Sequence, residues 1–184
     1  MKALRGLVRL LPISLLMNWK LKSKPKPNYI IFDIDGVFNP FMATNLRERG
    51  FIRYHKEWIS WDLDIVNHAA WVRELEDYAD IVWGSSWEEE SNALAGWFHL
   101  KNLSYPHIPM TTGGSMNSTW KLPAVSEWIN ENVSASQKAV FVEDEIFEDA
   151  VDWFAARPNL LLVKTDDRVG LTLEQVETIK AFLS

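Results

Sequence analysis

The chain has 184 residues, of which 47% are hydrophobic and 24% charged, and this length and composition are typical of one globular domain with a sizeable core. It contains no cysteine, which excludes disulfides, thiolate catalysis and thiolate zinc sites and fits a reducing compartment. The net charge of −6 is unevenly distributed, because residues 1–27 hold seven of the 19 basic residues and no acidic residue, which leaves −13 for the rest. The seven are Lys2, Arg5, Arg9, Lys20, Lys22, Lys24 and Lys26.

These basic residues belong to a predicted N-terminal arm and linker, residues 1–28, ahead of a domain at residues 29–184. Residues 10–17 are apolar, but the run is short, contains Pro12 and lacks a following small-x-small cleavage pattern. We therefore expect no signal peptide, no transmembrane segment and a cytoplasmic location. The arm could bind nucleic acid or anionic lipid, and a solvated tail is the alternative.

An apolar run that ends in two acids begins the predicted domain. Residues 29–32 are β-branched or aromatic, as in a strand buried on both faces of a parallel sheet. Asp33 and Asp35 follow, so both side chains can face the crevice at the carboxyl end of the strand, and Gly36 allows a sharp turn there. Two carboxylates in one place favour a hard cation such as Mg²⁺. A plain Asx-type turn is the alternative.

Between this strand and the next we predict a flap and a helix. Residues 37–58 lack a helical period, which predicts a β-hairpin over the crevice with its turn near Gly50. Apolar residues spaced three to five apart predict a helix over residues 62–78. Four basic side chains of the hairpin would face either a phosphate-bearing substrate or solvent: Arg47, Arg49, Arg53 and Lys56.

Two further segments offer groups that suit a phosphate. Ser85 and Ser86 lie between a predicted strand at 80–83 and a predicted helix at 88–99, where hydroxyls and amides can hold a phosphate oxygen, although a serine N-cap explains one of them. Lys121 opens a predicted helix at 121–132, where the helix dipole disfavours a cation. That position suggests that Lys121 meets an anion.

A strand followed by acids appears again later in the chain. Residues 138–142 predict a buried strand, and Glu143, Asp144 and Glu145 follow it. Three adjacent acids repel one another unless a cation shares them, and a solvated turn before a helix at 146–154 is the alternative.

A last strand at 160–163 and a last helix at 172–183 complete the series, with Thr172 and Gln175 in capping-box spacing. Strands that alternate with helices predict an α/β fold of three layers, a doubly wound parallel sheet covered on both faces.

In chain order these motifs resemble those of haloacid dehalogenase (HAD) superfamily phosphohydrolases. The four motifs are the segment 33–37, Ser85, Lys121 and the pair Glu143 and Asp144, and the resemblance covers residues 29–184. The tryptophans of the segment 82–87 and Trp153, which follows the acidic pair, are similar to a narrower group. That group comprises the small HAD domains of Swiss Army Knife RNA repair proteins.

The resemblance implies a role for each motif residue. Asp33 would be the nucleophile, and Asp35 would protonate the leaving oxygen and later deprotonate water. Ser85 and Lys121, with Ser86 and Gly36, would hold the phosphoryl oxygens. The implied cofactor is Mg²⁺, and its expected ligands are Asp33, the backbone carbonyl of Asp35, Glu143 and Asp144.

Two features of the sequence refine the expected function. Glu143 stands where such families often have aspartate, which could pass the role of metal ligand to Asp144, whereas the presence of Asp35 favours a phosphatase. The gaps between motifs leave room for only a minimal cap, so an open crevice could admit a nucleic-acid terminal phosphate. The alternatives are a nucleotidase or small-phosphoester phosphatase, and a non-catalytic HAD-like domain that binds RNA or a partner.

Overall fold

A computed structural model of the chain describes residues 27–56, 59–110 and 117–184, so the predicted basic arm lies outside the described residues, apart from its last two. Within them the strands are β1 (Asn28–Phe32), β2 (Ile52–Lys56), β3 (Ile59–Leu63), β4 (Ala79–Trp83), β5 (Ala139–Glu143) and β6 (Leu160–Lys164). The helices are α1 (Asn67–Leu75), α2 (Ala93–Trp97), α3 (Leu122–Asn132), α4 (Glu148–Ala155) and α5 (Leu173–Leu183), and a 3-10 helix, Glu88–Asn92, precedes α2.

The centre of the fold is a parallel sheet in the order β4-β1-β5-β6. β1 pairs with β4 on one side and with β5 on the other, so it is the strand that the sequence predicts to be buried. Successive residues of β1 point to opposite faces, as Ile30 and Phe32 enter one core cluster and Ile31 the other. The central strand thus joins two hydrophobic cores.

Helices cover both faces of the sheet and make three layers. Apolar residues of α1, α2 and α5, among them Val72, Leu94 and Ile179, pack in one core, and Val125 of α3 and Phe154 of α4 pack in the other. This arrangement confirms the predicted doubly wound α/β architecture. Helix α5 begins with the predicted capping box, in which the Thr172 and Gln175 side chains bond to each other's backbone amides.

A two-stranded antiparallel hairpin, β2 and β3, follows β1 and corrects two predictions. Lys56 pairs with Ile59, so the strands do not reverse near Gly50. Gly50 precedes β2 and closes a separate turn by donating its N–H to the Arg47 carbonyl. The predicted helix at 62–78 is wrong at its start, since Asp62 and Leu63 belong to β3 and α1 begins at Asn67. Five cross-strand pairs with β2 override the helical spacing of these residues.

The hairpin is attached to the sheet domain through aromatic rings. Trp61 of β3 makes edge contacts with Trp87 and Trp97, with ring centroids 5.4 and 5.0 Å apart, and Tyr54 of β2 lies 4.7 Å from Trp97.

Among the described residues, no helix is long and apolar enough to cross a membrane.

Two of the basic side chains predicted to face a phosphate or solvent have protein partners instead. Arg53 makes a bidentate pair with Asp62 across the hairpin, and Arg49 donates to the carbonyl oxygens of Arg168 and Val169. Arg47 is exposed, and the side chain of Lys56 lies outside the described residues. Arg49 and Arg53 therefore support the fold around the crevice.

Candidate functional site

The carboxyl ends of β1, β4 and β5 meet at one edge of the sheet. Asp33 donates its N–H to the carbonyl of Val142 in β5, and Gly84 donates to the carbonyl of Phe32 in β1. Because all three strands are parallel, the residues that follow them project into one crevice. The sheet register therefore brings Asp33, Ser85 and the acids after β5 together, although they are far apart in sequence.

Lys121 lies between two carboxylates of this crevice. Its Nζ is 2.7 Å from Asp33 Oδ1 and 2.8 Å from Glu143 Oε2, and all three side chains are buried, with 5% of the Lys121 side chain exposed. Lys121 is the N-cap residue of α3, so the helix begins one residue later than predicted. Its position at the unfavourable end of the helix dipole is thus accompanied by contact with two anionic groups.

Burial sets the protonation behaviour of this triad. Burial raises the pKa of Asp33 above its ordinary value. The Lys121 ammonium and several hydrogen bonds, including one from Ser85, lower this pKa but do not outweigh burial. Burial, followed by the charge of Asp33, raises the pKa of Glu143 well above its usual range. Burial alone would lower the pKa of Lys121, but the charges of Asp33 and Glu143 raise it. One ammonium thus makes it possible to bury two acids side by side.

Three carboxylates of this crevice are placed as a cation site requires. Asp33, Glu143 and Asp144 each offer an oxygen, and these oxygens lie within 4.8 Å of one another. Oxygen ligands of this kind fit Mg²⁺. Glu143 has other partners, because Oε2 contacts Lys121 and Oε1 accepts the N–H of Glu145. Because the three oxygens lie close together, the carboxylates still form a donor set that fits a divalent cation.

Gly36 makes room for the Asp144 carboxylate. A Cβ built on Gly36 would lie 2.1 Å from Asp144 Cγ, and the glycine has a φ of +72°, which other residues rarely adopt. Both the space and the backbone conformation therefore require glycine at this position. The glycine that the sequence analysis associated with phosphate binding lies directly against a candidate metal ligand.

Asp35 is held apart from the three clustered carboxylates by two hydrogen bonds. Its Oδ2 accepts from Trp87 Nε1 and its Oδ1 from Asn39 Nδ2, both at 2.7 Å. The side-chain oxygen of Asn39, Oδ1, in turn accepts the backbone N–H of Asp62 in β3. The hairpin and the loop after β4 thus fix the orientation of the Asp35 side chain.

The two serines that follow β4 differ in environment. Ser85 is buried beside Asp33, whereas Ser86 is exposed. Asn92, to which the sequence analysis assigned no role, bonds to Trp83 Nε1 and to the backbone of Tyr105. It therefore connects β4 with the segment that follows α2.

A second network positions the loop that carries Lys121. Asp149 of α4 accepts hydrogen bonds from the Thr119 N–H and hydroxyl, and the same hydroxyl accepts the N–H of Phe147. Burial raises the pKa of Asp149, but the hydrogen bonds from Thr119 and from nearby backbone amides together outweigh it, so the pKa lies below its ordinary value. Thr119 thus links the start of α3 to the start of α4.

Sequence reasoning did not assign roles to four residues of this site: Asn39, Trp87, Thr119 and Asp149. Trp87 was noted only as part of a tryptophan pattern, and its partner Asp35 lies 52 positions away. No local spacing in the sequence predicts such a contact. The residues that the sequence analysis did select at strand ends are brought together by the parallel sheet.

We predict that replacing Lys121 by Met destabilises the protein and makes stability depend more steeply on pH. Without the cation, the pKa values of Asp33 and Glu143 rise further, so the folded state binds more protons than the unfolded state near neutral pH. The free energy of unfolding of Lys121→Met should then fall as pH rises. At the alkaline end it should be about 3–5 kcal/mol below that of the unaltered protein. Urea unfolding in chelator between about pH 5 and pH 8 measures this.

Lys138→Met is the matched control, because the Lys138 ammonium bonds to main-chain oxygens of Phe182 and Ser184 and not to an aspartate or glutamate side chain. It should keep the pH slope of the unaltered protein. Equal slopes for the two variants would contradict the role assigned to Lys121.

Comparison with known families is consistent with this geometry. A family model described as the HAD domain in Swiss Army Knife RNA repair proteins matches residues 29–176. A comparison with curated proteins finds no match. The match confirms the resemblance recognised in the sequence, and the parallel sheet with its strand-end acids agrees with it. The chain therefore belongs to the family of HAD domains found in Swiss Army Knife RNA repair proteins.

Proposed function

We propose that this domain is a Mg²⁺-dependent phosphatase that acts through an aspartyl-phosphate on Asp33 and removes terminal phosphates from nucleic acid. Membership of the family suggests a hydrolase of the phosphatase type in an RNA repair context. The observation that carries the proposal is the buried Lys121 ammonium between Asp33 and Glu143, beside a third carboxylate. A carboxylate nucleophile, a buried ammonium and possible metal ligands lie at one edge of the sheet. These are the parts that phosphoryl transfer needs.

In the first step, a carboxylate oxygen of Asp33 attacks phosphorus and the bond from phosphorus to the leaving oxygen breaks. Protonated Asp35 gives its proton to that oxygen, so the product leaves as an alcohol. Lys121 and the Ser85 hydroxyl stabilise the phosphoryl oxygens while charge moves between them. The hydrogen bonds of Trp87 and Asn39 keep Asp35 in the orientation for this transfer.

In the second step, water attacks the phosphorus of the aspartyl-phosphate. The Asp35 carboxylate takes a proton from the water, and the bond between phosphorus and the Asp33 oxygen breaks. Inorganic phosphate leaves, Asp33 is again a carboxylate and Asp35 is again protonated. The cycle needs no other reactant than water.

Asp33 and Asp144 are the side chains that we assign to the cation, whose charge would neutralise the phosphoryl oxygens and favour ionised Asp33. Glu143 is the weaker candidate because Lys121 and the Glu145 N–H already occupy its oxygens. In this assignment Glu143 chiefly positions Lys121. The backbone carbonyl of Asp35 remains the predicted third ligand.

The small size of the lid supports a polymer end as substrate. The described part of the segment between β1 and α1 forms a hairpin of two five-residue strands and no separate domain. A lid of this size leaves more space at the strand ends than a full cap domain would. Small phosphomonoesters are the second candidate substrates for the same reason.

Replacing the nucleophile tests the reaction type. Asp33→Asn should lower phosphate release on the order of 10³-fold or more, since amide oxygen is a poor nucleophile. Asp80→Asn is the control, as Asp80 is an exposed carboxylate of β4. A panel of 3′- and 5′-phosphorylated oligonucleotides, nucleotides and sugar phosphates, with Mg²⁺ and with chelator, provides the measurement. Unchanged turnover of Asp33→Asn would refute the mechanism.

A pair of glycines tests the assignment of Asp144 to the cation. Gly36→Ala should displace the Asp144 carboxylate and raise the Mg²⁺ concentration needed for half-maximal activity. Gly50 also has a positive φ, of +88°, but a Cβ there meets nothing within 4 Å. Gly50→Ala should therefore lose only about 1 kcal/mol of stability. Activity against Mg²⁺ concentration separates the two, and identical Mg²⁺ dependence would exclude Asp144 as a ligand.

The hydrogen bond from Trp87 to Asp35 makes a third test. Trp87→Phe keeps an aromatic ring but removes the N–H donor, so kcat should fall about tenfold while KM changes little. Trp128→Phe is the control, because Trp128 packs against Tyr29 in the other core. Steady-state kinetics of both variants measure kcat and KM. A kcat for Trp87→Phe equal to that of the control would show that this donor does not position Asp35.

A further inference from the structure

A cleft of about 560 Å³ lies beside the candidate phosphoryl site, at the carboxyl ends of β5 and β6. Asp144 lines it, so the cleft begins at a residue that we assign to the cation. Phe41, Phe147 and the segment 164–168 form other parts of its lining. We call it the β5–β6 cleft, and its volume is in the range of small-molecule sites.

Two aromatic rings from separate loops enter this cleft while remaining open to solvent. Phe41 is 52% exposed and Phe147 is 36% exposed, and they belong to the loops after β1 and β5. One exposed aromatic residue needs no explanation, but two in a single cleft next to the candidate reaction site suggest a ligand with a flat apolar face. Aromatic rings of this kind stack on nucleobases.

The backbone near both rings is held in place. The N–H of Met42, next to Phe41, donates to the Asp167 carbonyl, and the N–H of Phe147 donates to the Thr119 hydroxyl. Lys164 Nζ donates to the carbonyl of Ile146 and joins the two sides of the cleft. The rings are therefore presented on ordered backbone, which lowers the entropic cost of binding.

The charges of the β5–β6 cleft disfavour a phosphate backbone. Its ionisable lining consists of four carboxylates and two cations: Asp144, Glu145, Asp166, Asp167, Lys164 and Arg168. A groove that follows a nucleic-acid backbone is positively charged, so this lining does not fit that role. Carboxylates do accept hydrogen bonds from the amino groups of bases. Thr165 also lines the cleft, and its hydroxyl is buried without a hydrogen-bond partner within the described part of the chain.

We propose that the β5–β6 cleft binds the nucleobase adjacent to the scissile phosphate, between or against the rings of Phe41 and Phe147. This assignment rests on the proposed function for the position of the phosphate, and it specifies the substrate as a nucleoside phosphomonoester. A free mononucleotide and the end of a strand share this chemistry. In both cases the base occupies the cleft, while phosphates further along a strand lie outside it.

The test compares substrates with and without a base. For a 3′-phosphorylated mononucleotide and a 3′-phosphorylated oligonucleotide, Phe41→Ala and Phe147→Ala should each lower kcat/KM about tenfold, the size expected for loss of one stacking contact. For glycerol phosphate, which has no base, kcat/KM should not change. Phe41→Tyr should keep the activity on nucleotides. Leu103→Ala is the control, because Leu103 is 73% exposed and lines a different cavity.

A binding measurement separates failure of this proposal from failure of the phosphatase assignment. Equilibrium dialysis of the mononucleotide with Asp33→Asn, and with the same protein carrying Phe41→Ala and Phe147→Ala, does not need turnover. Affinity should fall at least tenfold on loss of both rings and depend only weakly on salt, since few phosphates contact cations.

Each outcome bears on the nucleobase site. Loss of nucleotide affinity or selective loss of nucleotide hydrolysis supports it, even where the panel of substrates refutes the phosphatase mechanism. Equal effects on nucleotide and glycerol phosphate, unchanged affinity after loss of both rings, or no nucleotide binding overturns it. If the mononucleotide and the oligonucleotide respond alike, the base itself is recognised, whereas an effect restricted to one of them identifies the source of the nucleobase.

Discussion

The ammonium of Lys121 between Asp33 and Glu143 is the interaction on which the site depends. Two carboxylates within reach of one another could not both be buried and ionised without a cation, because burial raises the pKa of each. The parallel sheet supplies both carboxylates from neighbouring strands, and α3 brings the lysine to them. Thr119 and Asp149 then fix the loop from which Lys121 projects, so the site is supported by two helices as well as by the sheet.

A second set of contacts separates Asp35 from this buried triad. Its two oxygens bond to Trp87 and Asn39, and Asn39 is anchored by the backbone of β3. The hairpin therefore contributes to the orientation of an acid that does not join the cluster of three carboxylates. This separation suits two carboxylates with different tasks, one attacking phosphorus and one moving a proton.

The β5–β6 cleft extends the site in a direction that the motifs do not describe. It shares Asp144 with the cluster of three carboxylates and adds two exposed aromatic rings. Its excess of carboxylates makes it suited to a base and unsuited to a phosphate chain. Recognition of one base next to one phosphate is compatible with a crevice that is covered by a short hairpin and admits the end of a strand.

The sequence by itself determined the four sheet strands to within two residues, the α5 capping box and the family, because apolar periodicity, β-branched composition and short-range hydrogen bonds are local. It also indicated which strand ends carry acids. Only the tertiary structure decided that Asp62 and Leu63 pair in a hairpin and that Trp87 bonds to Asp35. Only the fold, likewise, placed Phe41 and Phe147 in one cleft. The hairpin was decided by cross-strand pairing, which competes with the helical spacing of the same residues. The other two arrangements join residues whose separation no local period encodes, because they arise from the packing of loops that the sheet brings together.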